Sequence, residues 1–205
     1  MSTDLALLRL LQLVSPGLPI GMYSYSQGLE SAVEEGWVAN AEQTEEWLSG
    51  LLSHCLMRVD LPLAARLYEA WRDGDTDIVK HWSAMLLACR ESSELRDEDR
   101  QTGQALARLL ADMQLDIVRP WIRYSDTTLA AMYALAAKSW DIPKREMLTG
   151  YCWGWLENQV LCAVKVVPLG QVAGQSLLHT LAETIPEVVE PVSYTHLTLP
   201  TNREV

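Results

Sequence analysis

The chain has 205 residues, 49% hydrophobic and 21% charged, values of an ordinary globular domain rather than a disordered chain. Its formal net charge of −11 repels phosphate backbones, which argues against nucleic acid as a partner and for solubility, basic protein partners or cations. The opening "MSTDLALLRLLQLVSPG" has no basic stretch ahead of its apolar run and no small-residue cleavage site. No window reaches the roughly 18 uncharged apolar residues of a membrane span, so a cytoplasmic protein is expected. The four cysteines, Cys55, Cys89, Cys152 and Cys162, form no CxxC pair. They read as reduced, buried thiols and carry no zinc signal.

Asp4 to Val14 repeats apolar residues at helical spacing, and Ser15-Pro16-Gly17 ends that run. Residues 24–35 are predicted to form a second, short helix. Asn40 with Gln43 has the form of a capping box and opens a helix through Trp47, Leu51, Leu52 and Leu56. Leu61-Pro62 restarts a helix with Leu63, Leu67 and Trp71, which "RDGDTD" breaks. Asp75 or Thr76 caps the next, carrying Val79, Trp82, Met85, Leu86 and Cys89. A long helix is predicted from about Ser93 to Ile117, with Leu95, Thr102, Leu106, Leu109 and Met113 on one side. Pro120 marks a turn, and Ser125-Asp126 a turn and a new cap. Leu129 to Trp140 follows, and Asp141-Ile142-Pro143 starts a helix running to about Val167. Pro168 opens a last helix ending near Ala182 to Thr184. No period-two run appears before residue 190, so the expectation is one all-α domain of roughly nine or ten helices. Phenylalanine is absent and tryptophan occurs eight times, so indoles are expected to take the large aromatic places of the core.

Signals for chemistry are weak. Gly17, Gly21 and Gly28 match neither phosphate-binding glycine pattern, and no lysine is near. Ser24 and Ser26 lack a nucleophile elbow. A calcium loop starting at Asp73 would need glycine and glutamate where Ile78 and Ala84 stand. The histidines His54, His81, His179 and His196 form no chelating spacing. "ELRDEDR", Glu94 to Arg100, reads as a solvated ion-pair face, with a magnesium-dependent enzyme built on Glu94 and Glu98 as the alternative. Within "TGYCWGWLENQVLCAVKVVPLGQVAGQ", Glu157, Asn158 and Lys165 interrupt a helix that is apolar nearly all round. Charge there is either paired in the core or part of a patch beneath a partner. Gly150 with Gly154, and Gly170 with Gly174, have the spacing of close helix approach, inside a subunit or across a dimer. "SPGLPIGMYSYSQGLE", Ser15 to Glu30, stops a helix and then offers tyrosines and hydroxyls without a catalytic group. A docking surface is the reading that survives.

"LLQLVSPGLPIGMYSYSQGLESAVEEGWV", "CRESSELRDEDRQTGQAL" and "WLENQVLCAVKVVPLGQVAGQSLL" together resemble the urease accessory protein UreF family, over about residues 5–189. The resemblance implies an all-α fold and a non-enzymatic role, which fits residues that offer no cofactor-binding motif and no nickel ligand set. It implies a homodimer that binds the accessory protein UreD or UreH and recruits the GTPase UreG. GTP hydrolysis is then coupled to nickel insertion into apo-urease. It places Tyr23, Ser26, Gln27 and Glu30 in one partner-binding segment, and Glu157, Asn158, Lys165, Gly170 and Gln171 in another. Glu30 and Lys165 are the expected coupling residues. A bare nickel carrier is a third reading. Residues 1–189 are the expected domain. The tail "EPVSYTHLTLPTNREV", residues 190–205, lacks the arginine-rich ending of the family, is β-like in composition, and reads as non-native or disordered.

Overall fold

Side-chain caps explain where half of the ten described α-helices begin. In the computed structural model, which describes residues 3–22 and 25–193, α1 spans Asp4–Leu13, and Thr3 Oγ1 accepts from Ala6 N at 3.2 Å. The short α2, Leu29–Glu34, follows Gly28, whose φ of 90° suits glycine. Asn40 Oδ1 accepts from Gln43 N to start α3, Ala41–Leu51. Gln43 Oε1 reaches back to Ala39 N rather than to the cap residue itself.

The break expected between Leu56 and Leu61 does not occur. Leu52–Asp60 winds as a π-helix that joins α3 directly to α4, Leu61–Asp73. Pro62 has no N–H to give, and in α winding its ring crowds the carbonyl four residues back. A wider turn ahead of it, with Leu61 N bonded to Leu56 O, lets the chain continue. Asp75 caps α5, Thr76–Ala88, through Asp77 N and Ile78 N. Ser92 caps α6, Ser93–Asp112, which ends sooner than expected and passes into a 3₁₀ segment, Asp116–Ile122. Thr128, not Ser125 or Asp126, caps α7, Leu129–Ser139. Pro143 precedes α8, Lys144–Val166, and Gly170 precedes α9, Gln171–Ala182.

Beyond the predicted last helix lies α10, Ile185–Ser193. Ile185, Val188, Val189 and Val192 recur at helical spacing and are buried against α4, α8 and the π segment. The helical chain therefore crosses residue 190, and the rest of the tail, with His196, lies outside the described residues.

α7 and α8 form the centre. Every residue from Ala130 to Ala137 is buried, and this mostly alanine surface packs on α4 and α6. α8 has 23 residues, about 35 Å of helix, and carries α1, α2, α9 and α10 along its length. Three glycines set the closest approaches. A Cβ on Gly103 would overlap the backbone of Thr128 and Leu129, so α6 crosses the start of α7 nearly in contact. One on Gly150 would meet Leu10 of α1 at 2.6 Å, and one on Gly174 would meet Val164 of α8 at 2.5 Å. One glycine of each small-residue spacing is thus used for close helix packing within the chain, whereas a Cβ on Gly154 would meet only Met22 at 3.8 Å and one on Gly170 nothing within 4 Å.

The core is made of leucine and alanine more than of indole. Only Trp71 and Trp121 are buried among the tryptophans. They meet edge to face, with Trp71 Nε1 donating to Ala131 O at 2.8 Å. Most of the others have an indole N–H that needs water or a partner and lie nearer the surface, Trp37 being 64% exposed. The thiols also divide: Cys152 and Cys162 are buried, Cys55 and Cys89 are exposed, and all four are free.

Candidate functional site

The turn of residues 25–28 is fastened to two helices by four hydrogen bonds from nitrogen or hydroxyl donors, and by a longer one from Cys162 Sγ of α8 to Tyr25 O at 3.7 Å. Tyr25 OH donates to Gln101 Oε1 of α6 at 2.9 Å, and Tyr25 O accepts from Asn158 Nδ2 of α8 at 3.2 Å. Gln27 Nε2 donates to Glu98 Oε1 of α6 at 2.7 Å, while Gln27 Oε1 accepts from Trp155 Nε1 of α8, also at 2.7 Å. Gln27 holds a φ of 50°, a left-handed conformation costly for a residue with a Cβ. Its two side-chain bonds offset that cost and aim α2 onto α8. There Leu29 and Ala32 pack with Cys162, Ala163 and Val167.

Behind the turn lies a buried ion cluster that the sequence reading missed. Arg90, between α5 and α6, donates to Asp60 Oδ1 at 2.6 Å and to Asp99 Oδ2 at 2.8 Å. Asp99 Oδ1 also accepts from Leu129 N at 2.9 Å, so one carboxylate serves both the arginine and the start of α7. Burial works against the Arg90 charge, but Asp99 and Asp60 outweigh it and raise the Arg90 pKa. Asp60 is pushed up by burial, which Arg90 only partly counters with Asp99 alongside. These groups tie the end of the π segment, α6 and the start of α7 together.

The ion cluster and the turn face one cavity of about 1020 Å³. Glu98 lies in its wall, 7% exposed, and burial lifts its pKa to about 7. The Gln27 bond and Arg90 pull that value down, while Asp99 and Asp60 push it up. The solvated face expected for residues 94–100 is therefore only partly so. Glu94 is exposed and its pKa is lowered by hydrogen bonds at the α6 N-terminus, and Asp97 pairs with Arg100 at the surface. Glu98 and Asp99 point inward. The signal was present: Asp99, Thr102, Gly103 and Leu106 fall on one helical stripe, which extends the apolar side of α6 to its acidic end. Glu94 and Glu98 border the same cavity, but no third ligand joins them. Among the described residues no group of three or more His, Cys, Asp or Glu side chains could hold a metal ion.

The family model for UreF matches residues 38–182. The urease accessory protein UreF of Alkalilimnicola ehrlichii is 52% identical over 191 residues, covering 91% of this chain and 84% of that protein. UreF of Hahella chejuensis is 42% identical over 185 residues, with 90% and 83% covered. UreF of Pseudomonas putida W619 is 46% identical over 190 residues, with 93% and 85% covered. The chain belongs to the UreF family.

Of the residues that resemblance to UreF singled out, the described ones lie on the 25–28 turn, α2, α8 and the start of α9. Ser26 and Gln27 stand in the turn, and Glu30 is exposed on α2. Ser26 Oγ lies 3.5 Å from Glu30 N, a long contact that adds little. Asn158 is buried and serves Tyr25, whereas Glu157 is half-buried on the adjoining side of α8. Lys165 is exposed, so it is not one half of a core ion pair. Burial raises the Cys162 thiol, Lys165 lowers it and Glu30 raises it, which places both charges within reach of one point between α2 and α8. Gly170 and Gln171 are exposed at the start of α9, beyond the end of α8. Tyr23 lies outside the described residues. No helix among the described residues is long and apolar enough to cross a membrane.

Proposed function

We propose that the chain is a non-enzymatic scaffold of urease maturation, a homodimer in the cytoplasm. It binds UreD or UreH, recruits the GTPase UreG, and couples GTP hydrolysis to nickel insertion into apo-urease. Membership of the UreF family supports the role. The single structural observation that carries the partner surface is the exposure of Glu30 and Lys165, of opposite charge, on the two sides of the α2–α8 contact. Exposed single charges of this kind add little to stability, so their use is better sought in a partner. Gln27 and Asn158 form the support beneath this surface, Ser26 stands beside them in the turn, and Glu157, Gly170 and Gln171 extend it along α8 and α9.

The test is co-purification with UreD or UreH and then with UreG, using this chain and a version carrying a family-like ending. The scaffold reading expects a three-component complex with the family-like ending at least. Failure of both versions to capture either partner refutes it.

A further inference from the structure

The cavity between the 25–28 turn, the π segment and α6 has walls whose chemistry selects a class of guest. Its volume, about 1020 Å³, lies at the upper end of the range of ligand pockets, large enough for several peptide residues. Acidic residues outnumber basic ones steeply. Glu30, Glu35, Glu91 and Glu94 stand among its lining, and Asp60, Glu98 and Asp99 lie buried in its wall. Arg90 is the one lysine or arginine among the described lining residues, and Asp60 and Asp99 already neutralise it. Between these acids stand the indoles of Trp37, Trp47 and Trp155, with the Trp37 and Trp47 rings 6.4 Å apart. Aromatic faces beside carboxylates suit a cation on an aliphatic stem. Anions are repelled, and a wholly apolar guest would leave the carboxylates desolvated without a partner.

We propose that this cavity receives a short basic segment of a partner protein, an arginine or lysine entering with its charged head toward Glu98 and its stem along the indoles. The inference rests on the scaffold reading for its partner. Its surface is continuous with Glu30, which lines the cavity and borders the patch shared with Lys165. The groups that face Glu98 are Gln27 from the turn, Asp99 from its own helix, Arg90 ahead of that helix, Asp60 from the end of the π segment, and Tyr151 and Cys162 from α8. Of these only Arg90 is cationic, so an entering guanidinium supplies the charge that an ionised Glu98 lacks. Entry therefore favours loss of the Glu98 proton.

The test is isothermal titration of the full chain with the capped pentapeptide Gly-Arg-Leu-Arg-Gly and with its citrulline analogue, which keeps shape and loses charge. The arginine peptide is expected to bind about tenfold tighter than the citrulline one at pH 8, and to weaken several-fold at pH 6 as Glu98 takes up its proton. Glu98→Gln is expected to remove that pH dependence. Glu94→Gln, at the exposed rim, should cost about threefold with the fold untouched. Equal affinity for the two peptides, no binding, or an unchanged pH profile in Glu98→Gln overturns the proposal. So does displacement by magnesium at matched ionic strength, which would make a metal ion the occupant. Because the titration uses this chain alone, peptide failure beside a successful co-purification removes only the cavity's role. The converse result removes only the scaffold.

Discussion

Replacing Glu98 by glutamine is expected to stabilise the protein at alkaline pH and to do little in acid. The native environment lifts this carboxyl from 4.5 to about 7, chiefly by burial. The folded chain therefore holds the proton more tightly than the unfolded chain. The neutral form is the one the fold accommodates, so stability is lost as pH rises from about 4.5 through about 7. At about 1.36 kcal/mol for each pH unit between the two values, ionised Glu98 costs the wild type about 3 kcal/mol at pH 8 and under 1 kcal/mol at pH 5. Glutamine matches the neutral acid in shape and can still accept from Gln27 Nε2. Urea unfolding of both proteins at the two pH values isolates this contribution, since titrations not coupled to Glu98 cancel in the difference. A gap between wild type and variant that is the same at pH 5 and pH 8 would refute the reasoning.

Arg90→Met leaves Asp60 and Asp99 facing each other without a cation, and a loss of about 3–5 kcal/mol in denaturant unfolding is expected. Adding Asp60→Asn in the same chain should recover part of it, and no recovery would speak against charge as the cause. Gly103→Ala drives a Cβ into the α7 backbone and should cost at least about 2 kcal/mol. Gly50→Ala, with open space around it, should gain about 0.5–1 kcal/mol by calorimetry. A thiol reagent should label Cys55 and Cys89 quickly in the native protein, and Cys152 and Cys162 only after unfolding. Burial, which pushes Cys152 up to about 12, adds to the difference.

Helix periodicity and short-range caps were readable because both depend on neighbours in sequence. Asn40 and Asp75 act where their spacing placed them. Pro62 misled the reading, because a proline usually marks a helix start and here a π-helical turn absorbs it. α10 was missed because the last helix was expected to end near Ala182 to Thr184, although Ile185, Val188, Val189 and Val192 carry an apolar stripe beyond that point. At the site, Gln27 entered only through the family resemblance and Asn158 also as a polar break in an apolar helix, while Asp60 and Arg90 did not enter at all. Their partners lie 30 residues apart, and an ion pair across that separation leaves no local pattern. Adjacent charges at Glu98 and Asp99 suggested solvent, although the stripe through Thr102 and Leu106 pointed to the interior.

The most direct measurement is activation of apo-urease reconstituted with UreD or UreH, UreG, nickel and GTP, using the chain with a family-like ending. Lys165→Ala, with unfolding free energy unchanged to within about 0.5 kcal/mol as befits an exposed side chain, should lower the urease activity recovered. Full activation by that variant, or equal activation when the chain is left out, would contradict the account.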